Sequence, residues 1–293
     1  MISRAIDKLA RLSLIDRNKL AVLFEQDHLR KLLAALKVDC VFDVGANVGQ
    51  YASMLRHQAK YKGRIISFEP LSREFQELER VSRADQLWDV ERAGITANGG
   101  AQIFKVMKSS QFSSFSDPTA EDTDMFAAAT SIASKTSVDT FTLKSAYDKY
   151  HQRHGFRRPF LKLDTQGLDV AILTHSKAVL QQFVGFQSEL SVKKIYQNSA
   201  DFTEAIALYR DLGFEISALV PNNLGHFPTL IEIDCIMIRR QLADQYLRPS
   251  RRGRPGPAAP RARVIESAKA RSVGTDRRPE AKACSSISWL ISP

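Results

Sequence analysis

The chain has 293 residues, 44% hydrophobic and 25% charged, the balance of an ordinary globular protein with enough apolar material for a real core. Its formal net charge of +10 is concentrated at one end: from Arg248 onward eleven Lys/Arg face three Asp/Glu, while residues 1–247 carry 31 basic and 29 acidic side chains. That distribution disfavours a nucleic-acid-binding fold, and the lack of any apolar run of about 20 residues argues against a membrane span.

The three cysteines, Cys40, Cys235 and Cys284, show neither metal-ligand spacing nor a disulfide pattern, and the N-terminus lacks a secretory apolar region. A reducing, cytoplasmic location is expected.

Residues 1–37 read as an N-terminal helical extension. Apolar positions recur at Ile6, Leu9 and Ala10, at Leu20, Leu23 and Phe24, and at Leu29, Leu32, Leu33 and Leu36, with Asp27 as the N-cap of the last stretch. Residues 40–44 form a short buried strand, followed by a Gly-containing turn and a helix through Leu55. Residues 64–69 form a second strand, stopped by Pro70, and a polar helix runs to Arg83. A third strand is expected over 90–95, and residues 102–107 alternate like an edge strand. Residues 109–136 are polar and long enough to suggest a functional loop. Strands follow at 160–164, 183–190, 214–219 and 231–238, with helices from 165 to about 181 and over 202–212. Such alternation means an α/β, doubly wound, Rossmann-like fold with a mostly parallel sheet and helices on both faces. The last two strands, with no helix between them, should pair antiparallel. One domain is therefore expected over 38–247. The Arg/Pro-rich tail, 248–293, reads as a disordered basic segment, or more sharply as a tether to anionic membrane or nucleic acid.

The chemistry centres on Asp43-Val44-Gly45-Ala46-Asn47-Val48-Gly49 between strand and helix. Glycines here permit a sharp turn and close approach of a ligand to the main chain. Glu69, 20 residues after Gly49, ends the next strand, where a carboxylate accepts the hydroxyls of a ribose. A dinucleotide fingerprint would need glycine where Asn47 and Gln50 stand, and a P-loop would need Gly-Lys-Ser/Thr. A ligand with a ribose and no phosphate fits better, and S-adenosylmethionine is one. Asp43 beside the loop would then serve its ammonium group. The competing reading is a Gly-rich turn that binds nothing.

At this point the sequence resembles the FkbM family of methyltransferases. The resemblance rests on Phe42-Asp43-Val44-Gly45-Ala46-Asn47-Val48-Gly49-Gln50-Tyr51, Ile66-Ser67-Phe68-Glu69-Pro70 and Leu161-Lys162-Leu163-Asp164-Thr165-Gln166-Gly167. Weaker echoes are Ser113-Ser114-Phe115, Glu189-Leu190-Ser191 with Tyr196, Gly213-Phe214 and Glu232-Ile233-Asp234. The family commonly closes its third motif with a bulky residue and Glu, where this chain has Leu168-Asp169. The resemblance implies a seven-stranded sheet and O-methylation of hydroxyls, often on saccharides, glycolipids or polyketides. The residue reading and the resemblance together lead to the expectation that S-adenosylmethionine is held by Asp43, Gly45, Ala46, Asn47, Gly49, Glu69 and Pro70, and the acceptor by Lys162, Gln166 and Glu189.

Asp164 ends a strand placed beside the cofactor strand, with Lys162 on the same strand face. It is the candidate base or acceptor-positioning residue, against the plainer reading of a helix N-cap. His226, between Asn223 and Phe227, is a second candidate base, or a bystander. His151 and His154 stand three apart without a visible third ligand, so no metal site is expected and a solvated pair is favoured. Three rivals remain. A nucleic-acid methyltransferase would need an Asn/Asp-Pro-Pro-aromatic or Pro-Cys motif, and the chain has neither. A non-catalytic binding module keeps the fold without the reaction. A dehydrogenase is disfavoured by Asn47.

Overall fold

The apolar runs of the sequence become strands buried on both faces. The computed structural model describes residues 20–108, 113–116, 131–194, 196, 199–222 and 228–247; His226, Cys284 and the segment expected to form a basic tail lie outside the described residues. The first half alternates as α1 (Leu20–Ala35), β1 (Cys40–Val44), α2 (Gln50–His57), β2 (Arg64–Phe68), α3 (Ser72–Ser82) and β3 (Trp88–Glu91). Three strands follow, β4 (Gly94–Ile95), β5 (Gly100–Met107) and β6 (Ile132–Phe141), and then α4 (Leu143–His154). The second half runs β7 (Pro159–Leu163), α5 (Asp169–His175), α6 (Lys177–Leu180), β8 (Gly185–Ser191), α7 (Phe202–Asp211), β9 (Phe214–Asn222), β10 (Glu232–Arg239) and α8 (Arg240–Leu247).

The main sheet has seven strands in the order β3-β2-β1-β7-β8-β10-β9. The neighbours from β3 to β8 are parallel, and β10 runs antiparallel to both β8 and β9. This is the expected doubly wound arrangement with an antiparallel last strand. The two-residue period of each strand separates two cores. Phe42, Phe68, Leu161 and Phe186 face α4, α5 and α7, where Leu143, Ile172 and Tyr209 pack on them. Val41, Ile65, Phe160 and Ile236 face α1, α2 and α3, where Leu29, Leu55 and Leu78 pack. Cys40 and Cys235 are core residues without exposure, and burial raises both thiols well above the ordinary cysteine range.

Several boundaries differ from expectation. Asp27 is not an N-cap. It lies inside α1, which runs unbroken from Leu20, and it pairs with Arg30 and Lys31 on the same helix face. The expected strand over 90–95 is two pieces: β3 joins the main sheet, while β4 pairs with β6 in a separate sheet of order β4-β6-β5. Part of the expected long loop is strand β6, whose mostly exposed side chains conceal any alternation. Helix α4 has Leu143, Ala146, Tyr147 and Tyr150 at helical spacing, but its many polar residues masked the pattern. A capping box of Thr142 and Ser145 starts it, and Gly155, at φ 64°, stops it. His154 is not solvated: it stacks on Tyr150 and lies 3.2 Å from Asp89. No described helix is long and apolar enough to cross a membrane.

Gly185 shows how tightly β10 is seated. A Cβ there would lie 2.4 Å from the Met237 carbonyl oxygen on the neighbouring strand. Gly185→Ala must push β8 and β10 apart, and overpacking of this kind costs about 1–3 kcal/mol. Urea unfolding should show a lower midpoint with an unchanged slope; an unchanged midpoint would show that the strands yield freely here.

Candidate functional site

The strands facing α1 and α2 are apolar at their amino ends and polar at their carboxyl ends. Register places Ser67, Asp43, Lys162 and Gln187 in one row across β2, β1, β7 and β8. One step further along the same face come Asp164 after β7, Glu189 on β8 and its register partner Asp234 on β10. A cavity of about 440 Å³ opens over this polar edge, where open α/β sheets bind their ligands.

At the β1–β2 end the wall is the glycine loop. Gly45 and Asn47 both have positive φ, 77° and 49°, a conformation that glycine and asparagine tolerate best. Gly45 is demanded by packing: a Cβ there would sit 2.0 Å from the Asp164 carbonyl oxygen. The N–H groups of Gly45 and Ala46 both donate to Phe68 O, at 3.1 and 3.0 Å, so they are tied to β2 and not held out as free donors. Gly49, at φ 89°, begins α2 beneath Leu78 and Trp88 and does not line the cavity. Glu69 does line it. Its two carboxyl oxygens accept from Asn47 N and Leu71 N, each at 2.9 Å. Burial outweighs those two bonds and pushes its carboxyl up to about 7. Pro70, Ile95, Phe104 and Phe115 add an apolar wall beside it, and Phe104 and Phe115 meet edge to face at 4.6 Å.

The centre of the floor is Lys162. It is 7% exposed, and its Nζ lies 3.0 Å from Asp164 Oδ2, 3.9 Å from Asp43 Oδ1 and 5.3 Å above the Tyr51 ring. Burial works against its charge, but Asp164 and Asp43 together raise the ammonium above the ordinary lysine value. Asp43 has no exposure and is not part of the cavity wall. Its Oδ2 accepts from Ser67 Oγ at 2.9 Å, and its Oδ1 takes no hydrogen bond among the described residues.

Asp164 is not a helix cap: α5 begins at Asp169, with Leu168 at the N-cap. Its Oδ1 accepts from Gln166 Nε2 at 2.8 Å, and that same nitrogen donates to Glu189 Oε2 at 3.0 Å. Gln166 has φ 51°, and the structure holds it there on two further sides: Tyr196 OH donates to its Oε1 at 2.9 Å and Ser114 Oγ to its carbonyl at 2.7 Å. Burial, with Asp164 and Glu232 nearby, raises the Glu189 carboxyl well above its usual range. Asp169 turns away from the cavity and ties the β7–α5 turn to β8. It accepts from Thr165 N at 3.0 Å, Ser188 Oγ at 2.9 Å and Glu189 N at 3.1 Å.

Sequence reading therefore located Lys162, Asp164, Gln166 and Glu189 in one place. It missed Glu25, Tyr51 and Gln187 as wall residues, and Glu232 and Asp234 entered only as a faint echo. The strand period places Gln187 two residues before Glu189 on the same face. No comparable signal exists for Glu25.

The FkbM methyltransferase domain model matches residues 43–216, more than half of the chain. No curated protein matches. Among solved structures, Aeropyrum pernix fibrillarin with natively bound S-adenosyl-L-methionine aligns at 14% identity over 73% of this chain and 76% of its own, with a TM-score of 0.39. Magnesium protoporphyrin IX methyltransferase from Synechocystis PCC 6803, with bound cofactor, aligns at 10% identity over 80% and 91%, with a TM-score of 0.41. These likenesses are too distant to carry an argument. The family match covers both the glycine loop and the Asp164 motif: the chain belongs to the FkbM methyltransferase family, and its methyl donor is S-adenosylmethionine.

Proposed function

We propose that the chain methylates a hydroxyl group on a saccharide, glycolipid or related small metabolite, with Asp164 as the group that receives the hydroxyl proton. The observation carrying this reading is the fixed carboxylate of Asp164 at the cavity, held by Lys162 on one oxygen and Gln166 on the other, with its side chain still 38% exposed. Hydroxyls are weak nucleophiles, and a placed base typically contributes about 10²–10⁴-fold.

The residues present fit the cofactor. Glu69 offers a carboxylate whose remaining lone pairs suit a ribose diol, and the Phe104–Phe115 wall beside it suits an aromatic base. Asp43 acts on the site through Lys162. Bound in this cavity, S-adenosylmethionine supplies an electrophilic methyl group. The chain's own work is to align the acceptor oxygen, exclude water and take up one proton. A nucleic-acid acceptor fits poorly, because seven carboxyl side chains and one lysine line the cavity and would repel a phosphate backbone. We place the reaction in the cytoplasm and the catalytic domain at 38–247, with the N-terminal extension supplying one wall. Mass spectrometry of glycans, lipids and small metabolites from cells with and without the gene tests the acceptor class. The expected difference is one CH₂ on a hydroxyl-bearing species, and its absence from all three pools rejects the reading.

Two variants test the residue roles. The ionised Glu69 is the better acceptor for ribose hydroxyls, so cofactor affinity should be full above pH of about 7 and fall as pH drops through that value, by roughly tenfold between pH 8 and pH 6. Glu69→Ala should weaken binding by about 1–3 kcal/mol and flatten this dependence. Calorimetry across pH checks both, and a Glu69→Ala protein with wild-type affinity removes Glu69 from the ribose.

Asp164→Asn keeps an oxygen for Lys162 but loses the base. Turnover should fall at least about 10²-fold with little change in cofactor affinity. A folded variant with normal turnover would transfer the base role elsewhere.

A further inference from the structure

The cavity continues past Lys162 along β8 and β10 to a wall made by Glu25, Gln187 and Asp234. Glu25 is on α1, one turn before Leu29, whose fully buried side chain anchors the helix to the sheet. Residues four apart share a helix face, so the contact that seats α1 also directs Glu25 toward β8. Gln187 is 2% exposed and its amide is oriented on both sides: Oε1 accepts from Tyr51 OH at 3.1 Å, and Nε2 donates to Glu25 Oε1 at 2.7 Å. The same amide also reaches the Asp234 carboxyl, so it bridges the two acids. Burial lifts both acids, Asp234 to about 8, where the nearby Glu25 adds to the effect. Lys162 is the only lysine or arginine lining the cavity among the described residues; it pairs directly with Asp164 and Asp43, and its charge reaches Glu25 and Asp234 only at longer range. Both Glu25 and Asp234 fall outside the stretch matched by the family model.

We propose that Glu25 and Asp234, bridged by Gln187, form a subsite for a protonated amine on the acceptor, so that the enzyme selects an amino sugar or similar amine-bearing polyol over its neutral counterpart. A hydroxyl would offer this wall one donor and no charge. An ammonium offers three donors and a full positive charge, in surroundings where charge interactions are only weakly screened. Asp234 stands on β10, two strand spacings or about 10 Å from β7, so the amine would sit on the side of the acceptor remote from the hydroxyl presented to Asp164.

This inference rests on the cavity being the acceptor site, and the test separates the two. The full chain, saturated with S-adenosylhomocysteine, is titrated by calorimetry with a glucosamine trisaccharide and with the glucose trisaccharide of the same linkage. The amine sugar should bind at least about tenfold tighter, as hydrogen bonds to charged groups allow. In the double variant Glu25→Gln, Asp234→Asn the two sugars should bind about equally, while S-adenosylhomocysteine affinity stays unchanged. Gln at 25 still accepts from Gln187, so a lost preference reports charge and not a collapsed wall. Equal or absent binding of the two sugars by the wild type overturns the proposal, as does a preference that survives in the folded double variant. Failure of the wild type to bind S-adenosylhomocysteine would instead strike the methyltransferase reading. If the double variant does not fold by circular dichroism, Glu25→Gln alone decides, with a preference reduced by roughly threefold expected and an undiminished one overturning the proposal.

Discussion

A single buried ammonium organises the site. Lys162 stands on β7 in the middle of the main sheet, almost without exposure, between Asp43 on one side and Asp164 on the other. Desolvating such a charge costs several kcal/mol unless good geometry compensates. Here the compensation comes from three directions: one carboxylate at hydrogen-bond distance, one below the floor and the face of Tyr51. Asp43 is fixed in turn by Ser67, which accepts from Trp88 Nε1 at 3.0 Å. The chain Trp88–Ser67–Asp43–Lys162–Asp164 thus links four neighbouring strands of the sheet to one exposed oxygen pair. Removing Lys162 would leave Asp43 uncompensated in the core, so this part of the site cannot be loosened without cost to the fold.

The strand period explains why the polar groups meet at one edge. Along β1, β7 and β8 the residues facing α1 and α2 change from apolar to polar toward the carboxyl end: Val41 then Asp43, Phe160 then Lys162, and Gly185 then Gln187. Each strand's amino half joins a core and its carboxyl half builds a binding surface. On β1 and β7 the opposite face stays apolar, through Phe42 and Val44 and through Leu161 and Leu163. Stability and function are therefore written on the same strands without competing for the same positions.

That arrangement also determines what was legible. The parallel strands, their order of alternation with helices and the antiparallel last strand follow from short β-branched runs between helical segments. Glu69, Asp164 and Gln166 were legible because they sit at strand ends, where the fold class dictates where ligands go. Strand β6 and helix α4 were not, since their side chains are largely polar or exposed and the apolar period is diluted. Glu25 was illegible for a different reason. Its place in the wall depends on where α1 docks, and docking is set by Leu29, Leu33 and Leu36 against the sheet, a long-range contact that no local spacing encodes.

The glycine loop shows how a correct position can carry the wrong reason. Spacing alone suggests that Gly45 clears room for a ligand. In the folded chain the space a Cβ would fill belongs to the Asp164 carbonyl oxygen, and Asp164 N in turn donates to Val44 O at 3.1 Å. The first motif and the third are therefore in direct backbone contact. Any side chain at Gly45 would displace the strand end that carries Asp164, besides straining a φ of 77°. The glycine loop and the carboxylate proposed to act on the acceptor are thus one geometric unit, and this contact holds the two halves of the cavity in register.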